Sequence, residues 1–152
     1  KENVSLPNLR QKHTGAFIRQ EQEKKDVLEY RESLGIKCAG IETDAGTLSG
    51  GNQQKVVLAK WLQSEPKVLI LDEPTRGIDV GAKYEIYKIM VELAGKGMAI
   101  IMISSEMPEV MGMSDRILVM SNGRISGEFS REEIISGQVT QTDLLNSALS
   151  EM

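Results

Sequence analysis

The chain has 152 residues, 40% of them hydrophobic and 26% charged, which is ordinary for a globular domain. The formal charge of -4 comes from 18 basic and 22 acidic residues spread along the sequence, a pattern that does not favour nucleic acid as a partner. The longest apolar run, residues 98–103, is far shorter than the roughly 20 residues that span a bilayer. Cys38 is the single cysteine, which excludes an internal disulfide and fits a reducing compartment.

The first predicted element is a helix over residues 21–34. Its apolar residues Val27, Tyr30 and Leu34 have helical spacing, and Gly35 follows where a helix would stop. We expect this helix to belong to a small helical subdomain, residues 1–47. His13, the single histidine, lies in the polar opening segment and is expected to be solvated.

A second helix is predicted from residue 49 to about residue 63, opened by Ser49, Gly50 and Gly51. This opening is compatible with a serine-capped helix and equally with a phosphate held by backbone NH groups and the helix dipole. Glycine in a helix costs about 0.5–1 kcal/mol relative to alanine, so two in succession favour close approach of a ligand. The apolar residues stand one turn apart on neighbouring rows, and the buried face is expected to carry the tryptophan: Val57 with Trp61, and Leu58 with Leu62.

A buried strand is predicted at residues 68–71, and it ends in Asp72-Glu73-Pro74-Thr75. Two adjacent carboxylates at such a strand end suit a magnesium ion and an attacking water, although a simple strand-end turn is the alternative interpretation. Asp79 is placed to cap a helix over residues 80–94, and an apolar strand at 98–103 completes a βαβ unit.

The end of the chain is predicted to form a hairpin and short helices. Asn122-Gly123 lies between two apolar runs and accepts positive φ at both turn positions, which is a strong hairpin signal. Ser130 with Glu133 is a capping box, and Thr140 with Asp143 is a weaker one.

In order and spacing, LSGGNQQK at residues 48–55 (the signature) and VLILDEP at residues 68–74 (the Walker B strand) resemble an ATP-binding cassette ATPase. The segments TRGIDVGAK at 75–83 and ISSEMPEV at 103–110 are similar to those in the second cassette of sugar-importer ATPases. The resemblance implies an α/β fold with a P-loop NTPase-like core and parallel sheet, a helical subdomain and a small terminal β-hairpin. It also implies ATP and Mg²⁺ as cofactors.

The resemblance also implies roles for individual residues. Ser49, Gly50 and Gly51 would bind the γ-phosphate of ATP held by the opposite cassette, and Gln53 would reach the same nucleotide. Asp72 would orient magnesium through water, and Glu73 would polarise the attacking water. Asp79 would lie in a loop at the interface between cassettes, in addition to capping its helix.

No Gly-x-x-x-x-Gly-Lys-[Ser/Thr] pattern occurs in the 152 residues, so no phosphate-cradling P-loop is present in this sequence. In the family that loop precedes the signature, and we therefore expect the chain to be a carboxy-terminal piece of a larger ATPase, inactive alone. Residues 48–152 would form a partial nucleotide-binding domain, and without the preceding core strands the sheet would present an unpaired edge.

Ser105 marks a departure from the family pattern. It stands where a histidine normally follows the strand and contacts the γ-phosphate. Ser105 stays a candidate nucleotide contact, but the favoured interpretation is a helix cap before Pro108. Because the signature is intact while the histidine is missing, we expect the signature residues to matter more than Glu73.

The function implied by the resemblance is part of the ATP-hydrolysing subunit of an importer for a monosaccharide or similar small solute. Its partners would be the first nucleotide-binding domain of the same polypeptide or another copy in a homodimer, a membrane permease and, indirectly, a sugar-binding protein. Its location would be peripheral, on the cytoplasmic face of the cell membrane. Alternatives are a non-catalytic dimerisation and permease-coupling module, or the terminal lobe of a DNA-repair ATPase, which would need sustained heptads that the sequence lacks.

Overall fold

The computed structural model describes residues 1–8 and 20–149, so His13 lies outside the described residues. The chain divides into two compact units, Lys1–Ile101 and Met102–Met152. Two short 3₁₀ turns, Leu6–Asn8 and Ala45–Thr47, accompany the helices and strands of the described residues: α1 (Glu2–Ser5), α2 (Gln20–Ser33), α3 (Gly50–Leu62), β1 (Val68–Asp72), α4 (Val80–Gly95), β2 (Ala99–Ile103), α5 (Met107–Met113), β3 (Arg116–Ser121), β4 (Arg124–Ser130), α6 (Arg131–Ile135) and α7 (Gln141–Leu149).

Helix α2 forms where the apolar spacing predicts it. Val27 and Leu34 are buried, and Gly35 takes a φ of 59°, the left-handed conformation that ends helices. The Tyr30 hydroxyl donates to the Leu62 carbonyl at 3.1 Å, which ties α2 to the end of α3. The predicted helix is therefore confirmed, with its bounds moved by one residue at each end.

Helix α3 buries a different face from the one expected. Leu58, Ala59 and Leu62 are buried, whereas Trp61 is 49% exposed, so the prediction that the buried face carries the tryptophan is wrong. Successive helix positions are rotated by about 100°, and the burial of Leu62 therefore turns Trp61 toward the outside. The Lys60 ammonium lies 5.1 Å from the centre of the indole ring and covers part of it.

Strands β1 and β2 pair in a parallel two-stranded sheet, and α4 connects them. The predicted βαβ unit is present, but β1 is not buried on both faces as expected. Leu69 and Leu71 are buried, whereas Val68 and Ile70 are more than half exposed. With only one described neighbour strand, the alternation of side chains leaves one face of β1 uncovered within this chain.

The second unit contains the predicted hairpin and terminal helices. Strands β3 and β4 pair antiparallel around Asn122 and Gly123, whose φ angles of 50° and 77° confirm the turn. Ser130 and Glu133 form the complete capping box of α6. A small apolar core contains Ile117, Val139 and Leu144, with partly buried side chains packed against it: Met107, Val110, Met111, Val119, Phe129 and Ile134.

The predicted division at residue 47, between a helical subdomain and the remainder, stays a prediction. Among residues 1–8 and 20–149, no helix is long and apolar enough to cross a membrane.

Candidate functional site

The start of α3 presents an exposed serine followed by an exposed glycine. Ser49 occupies the N-cap position, but its side chain makes no capping hydrogen bond to the helix backbone. Its Oγ instead accepts from the Asn52 Nδ2 at 2.8 Å. The first backbone NH groups of α3 are thus left uncapped by Ser49, at the end of the helix where the dipole favours an anion.

The two glycines of the signature meet residues of the same chain. A Cβ on Gly51 would lie 2.5 Å from the Ala82 Cβ, and one on Gly50 would lie 3.1 Å from the Ile78 Cγ2. Gly51 is buried, whereas Gly50 is exposed. The glycine at 51 is therefore required by the close packing of α3 on α4, and the expectation that close approach of a ligand explains it is not needed.

The Gln53 side chain bends back onto its own loop. Its Nε2 donates to the Leu48 carbonyl at 2.8 Å and lies 3.5 Å from the Gly46 carbonyl. The amide nitrogen, the one side-chain atom of Gln53 that can donate to a phosphate, is therefore engaged by its own loop, and the contact of Gln53 with a nucleotide stays a prediction.

Lys55, the last residue of the signature, is a buried cation whose two partners are a backbone carbonyl and a carboxylate. Its Nζ donates to the Gly35 carbonyl at 3.0 Å and to the Glu85 Oε2 at 2.7 Å. The hydrogen bond and charge of Lys55 lower the pKa of Glu85, with a smaller contribution from Lys37. The burial of Lys55 is thus matched by a carboxylate on α4, which joins the signature helix to its neighbour.

Asp72 is the last residue of β1, and Glu73 begins the tight turn that follows it. Asp72 is exposed and Glu73 partly exposed, so the pair is not buried as the sequence led us to expect. Glu73 has a φ of 47°, and its carbonyl accepts from the Arg76 NH at 3.2 Å. The turn is anchored by Thr75, which is 1% exposed. A non-glycine residue in the left-handed region is uncommon, and strain of this kind is concentrated at functional sites.

The donor atoms at this turn fit a magnesium ion. Magnesium in nucleotide sites is held by one or two carboxylates together with water and phosphate oxygens, and Asp72 supplies such a carboxylate next to Glu73. Among the described residues no group of three His, Cys, Asp or Glu side chains is placed to hold a metal.

Asp79 caps α4, as predicted, because its Oδ1 accepts from the Ala82 NH at 2.9 Å. The residues on either side of this cap touch the start of α3: Ile78 lies against Gly50, and Ala82 lies against Gly51. The structure therefore brings together the beginning of the signature helix and the segment that follows the Walker B strand.

Ser105 belongs to the second unit and is exposed between β2 and α5. It does not cap α5 as expected, because the N-cap position is Glu106. The neighbouring Ser104 organises this segment instead: its Oγ accepts from the Glu106 NH at 3.1 Å and its hydroxyl donates to the buried Glu109 carboxylate. Pro108 in the first turn of α5 has no backbone NH, so it cannot donate to the side chain of a capping serine.

Comparison with known proteins identifies the family. The model of the family described as "ABC transporter" matches residues 1–76. The chain is 51% identical over 133 residues to the ribose import ATP-binding protein of Roseobacter denitrificans and 66% identical over 111 residues to the xylose import ATP-binding protein of Geobacillus kaustophilus. These alignments cover 88% and 73% of this chain.

The chain belongs to the ABC transporter family. It spans 26% of the length of the first of these relatives and 22% of the second, about a quarter in each case. Membership of this family implies ATP binding.

Solved structures agree with the fold. A nucleotide-free ATP-binding cassette of an ABC transporter superposes with a TM-score of 0.80 at 25% identity, covering 99% of this chain and 62% of that one. A dimeric ATP-binding cassette in a post-hydrolysis state with ADP and phosphate gives 0.72 at 25% identity, covering 86% of this chain and 55% of that one. The α/β fold expected from the ABC resemblance is confirmed.

Sequence reasoning missed the contacts of two residues of the signature, Asn52 and Lys55. Asn52 bonds directly to Ser49, and Lys55 is buried on Glu85. Lys55 stands at helical spacing from the buried Leu58, Ala59 and Leu62, a signal that placed it on the inner face of α3. The second partner of Asn52, the Lys37 backbone NH, lies 15 residues away, and no local pattern could reveal it.

Proposed function

We propose that this chain is part of the ATP-hydrolysing subunit of an ABC importer for a monosaccharide or a similar small solute. The chain would supply the signature in trans, with Ser49 and the backbone at Gly50 contacting the γ-phosphate of an ATP held by the P-loop of another nucleotide-binding domain. The observation that carries this proposal is the exposed Ser49–Gly50 pair at a helix start that the Ser49 side chain does not cap.

Asp72, at the end of β1, and Glu73 would serve a second ATP site, the one formed with this chain's own Walker B strand. Asp72 would orient Mg²⁺ through water, and Glu73 would polarise the attacking water. Magnesium, when bound, would neutralise charge that develops on the phosphate oxygens. Gly51 would act by packing on Ala82, and Asp79 would hold the start of α4 against the signature, so both would shape the site without touching ATP.

The substrate and partner classes follow from the relatives. Ribose and xylose importers are named among them, and dimeric cassettes are among the related structures. We propose that the partners are a second nucleotide-binding domain, in the same polypeptide or another copy, and a permease that keeps the protein at the cytoplasmic face of the membrane. The identity of these relatives favours an importer over the DNA-repair alternative.

The test compares Ser49→Ala with Glu73→Gln in the complete polypeptide that contains this segment, assembled with its permease. Loss of one hydrogen bond to a charged phosphate is expected to lower ATP hydrolysis about 10- to 100-fold in Ser49→Ala. Glu73→Gln should lower it less. Ser64→Ala removes an exposed hydroxyl from the turn just after the other end of α3 and serves as the control, with activity near that of the unmodified protein.

The possible results separate the candidate functions. A larger loss in Glu73→Gln than in Ser49→Ala would contradict the proposal that the signature serine contributes more to ATP hydrolysis than Glu73. Normal hydrolysis in both variants would favour the non-catalytic dimerisation and permease-coupling module.

A further inference from the structure

Asn52 bridges the signature serine and the segment that follows α2. Its Oδ1 accepts from the Lys37 backbone NH at 2.8 Å, and its Nδ2 donates to the Ser49 Oγ at 2.8 Å. Asn52 is half-buried on the first turn of α3, and it lies between the exposed Ser49 and the backbone of Lys37.

The chemistry of the three groups fixes the direction of both bonds. A backbone NH only donates, so the atom of Asn52 that faces Lys37 must be the carbonyl oxygen Oδ1. The amide nitrogen Nδ2 therefore faces Ser49, where it can only donate. It follows that the Ser49 oxygen is the acceptor in this bond and that the single hydroxyl proton points elsewhere.

We propose that Asn52 is a positioning residue that holds the Ser49 hydroxyl as a hydrogen-bond donor toward the phosphate. This inference rests on the proposed contact between Ser49 and the γ-phosphate. A serine hydroxyl both donates and accepts, and against an anion only the donating orientation is productive. By occupying the accepting side of Ser49, Asn52 removes the competing orientation before ATP arrives.

The bridge also links Ser49 to the position of residues 35–37. The Lys37 NH is held by Asn52, and the Gly35 carbonyl is held by Lys55, one turn further along α3. The Lys37 ammonium lies 3.7 Å from Glu85, the carboxylate that also accepts from Lys55. A displacement of this segment relative to α3 would break the bond from Lys37 to Asn52 and release the amide that orients Ser49.

The decisive variant is Asn52→Asp in the complete polypeptide. A carboxylate keeps the acceptor for the Lys37 NH but loses the donor to Ser49, and the serine hydroxyl then donates to the carboxylate and turns away from the phosphate. ATP hydrolysis should fall by a factor similar to that of Ser49→Ala. Val57→Glu adds the same charge to α3 at an exposed position outside the signature, and it should keep at least half of the activity.

A double variant distinguishes positioning from a general structural effect. If Asn52 acts through Ser49, the Ser49→Ala, Asn52→Asp protein should be no less active than Ser49→Ala alone. Hydrogen exchange at the Lys37 amide should stay slow in Asn52→Asp, which keeps the acceptor, and become faster in Asn52→Leu, which removes it. Independent, multiplying losses from the two substitutions, or normal hydrolysis in Asn52→Asp, would overturn the role of Asn52.

The failure of the underlying function has a different result. Normal hydrolysis in Ser49→Ala would overturn the phosphate contact of Ser49, and the positioning role of Asn52 would fall with it. A loss in Ser49→Ala combined with normal activity in Asn52→Asp would overturn only the inference about Asn52.

Discussion

The start of α3 and the turn after β1 carry the two motifs of the site, and they are built in opposite ways. In the signature, Gly51 lies against Ala82, Lys55 is buried on Glu85, and Asn52 joins Ser49 to Lys37. At the turn, Asp72 is exposed on the last position of a strand. Residues of the first motif are therefore held by packing and by side-chain hydrogen bonds, whereas the Asp72 carboxylate is separate from the packing of the chain.

This contrast changes how substitutions at the two motifs are interpreted. A loss of activity at Gly51 can arise from separation of α3 and α4, because no space exists there for a side chain. A loss at Asp72 cannot be explained in this way. The exposed Ser49 is therefore a better probe of the signature than its buried glycine.

The largest expected effect is that of Gly51→Ala. The new methyl group would overlap the Ala82 Cβ at 2.5 Å, and relief of this overlap should cost about 1–3 kcal/mol of unfolding free energy, measured in urea. Ala82→Gly removes the opposing methyl group, so the double variant should be more stable than the sum of the two single changes predicts. Strict additivity would show that the contact between α3 and α4 does not explain the glycine.

A moderate, pH-dependent effect is expected of Glu85→Gln. The hydrogen bond from Lys55 lowers the pKa of Glu85 below its usual 4.5, so folding favours the ionised carboxylate. Its stabilisation is present above pH 4.5 and is lost as the pH falls through the lowered folded-state pKa. At pH 7 the variant should be less stable by about 1 kcal/mol, because Glu85 is half-exposed and solvent screens the pair.

The control for this pair is Glu92→Gln, which removes an exposed carboxylate from the same helix. Urea unfolding between pH 3 and pH 8 should give nearly parallel curves for the control and the unmodified chain. A gap for Glu85→Gln that widens on acidification would have the wrong sign for this ion pair.

The smallest effect on stability is expected of Asp72→Asn. The side chain is exposed, and the change should alter the unfolding free energy by no more than about 0.5 kcal/mol. In the complete polypeptide the same change should lower ATP hydrolysis and weaken its dependence on magnesium. Marked destabilisation would show that the Asp72 carboxylate supports the turn and would remove the contrast with α3.

Local patterns predicted those parts of the fold that local forces determine. Asn122-Gly123, the capping box of Ser130 with Glu133, and the cap at Asp79 all formed, because each depends on residues a few positions apart. The predicted orientation of α3 was wrong at Trp61. The helix has two apolar rows, Val57 with Trp61 and Leu58 with Leu62, and the sequence does not say which row faces the neighbouring elements.

The site itself was predictable only in outline. The motifs indicated Ser49, Asp72 and Glu73, whose places in the chemistry stay predictions. The reason for Gly51 depends on Ala82, which lies 31 residues later in the printed sequence, and the role of Asn52 depends on a backbone NH in another segment. Contacts of this kind follow from the packing of helices, and no spacing rule within one motif contains them.

The half-exposed Trp61 has a practical consequence. It is the single tryptophan of the chain, it lies on the helix that begins at Gly50, and the Lys60 ammonium rests against its ring. Indole emission responds to nearby charge and to water, so the fluorescence of this chain arises largely from one known place. A movement of α3 would change the wavelength and intensity of that emission, and the chain therefore carries its own optical reporter without any added dye.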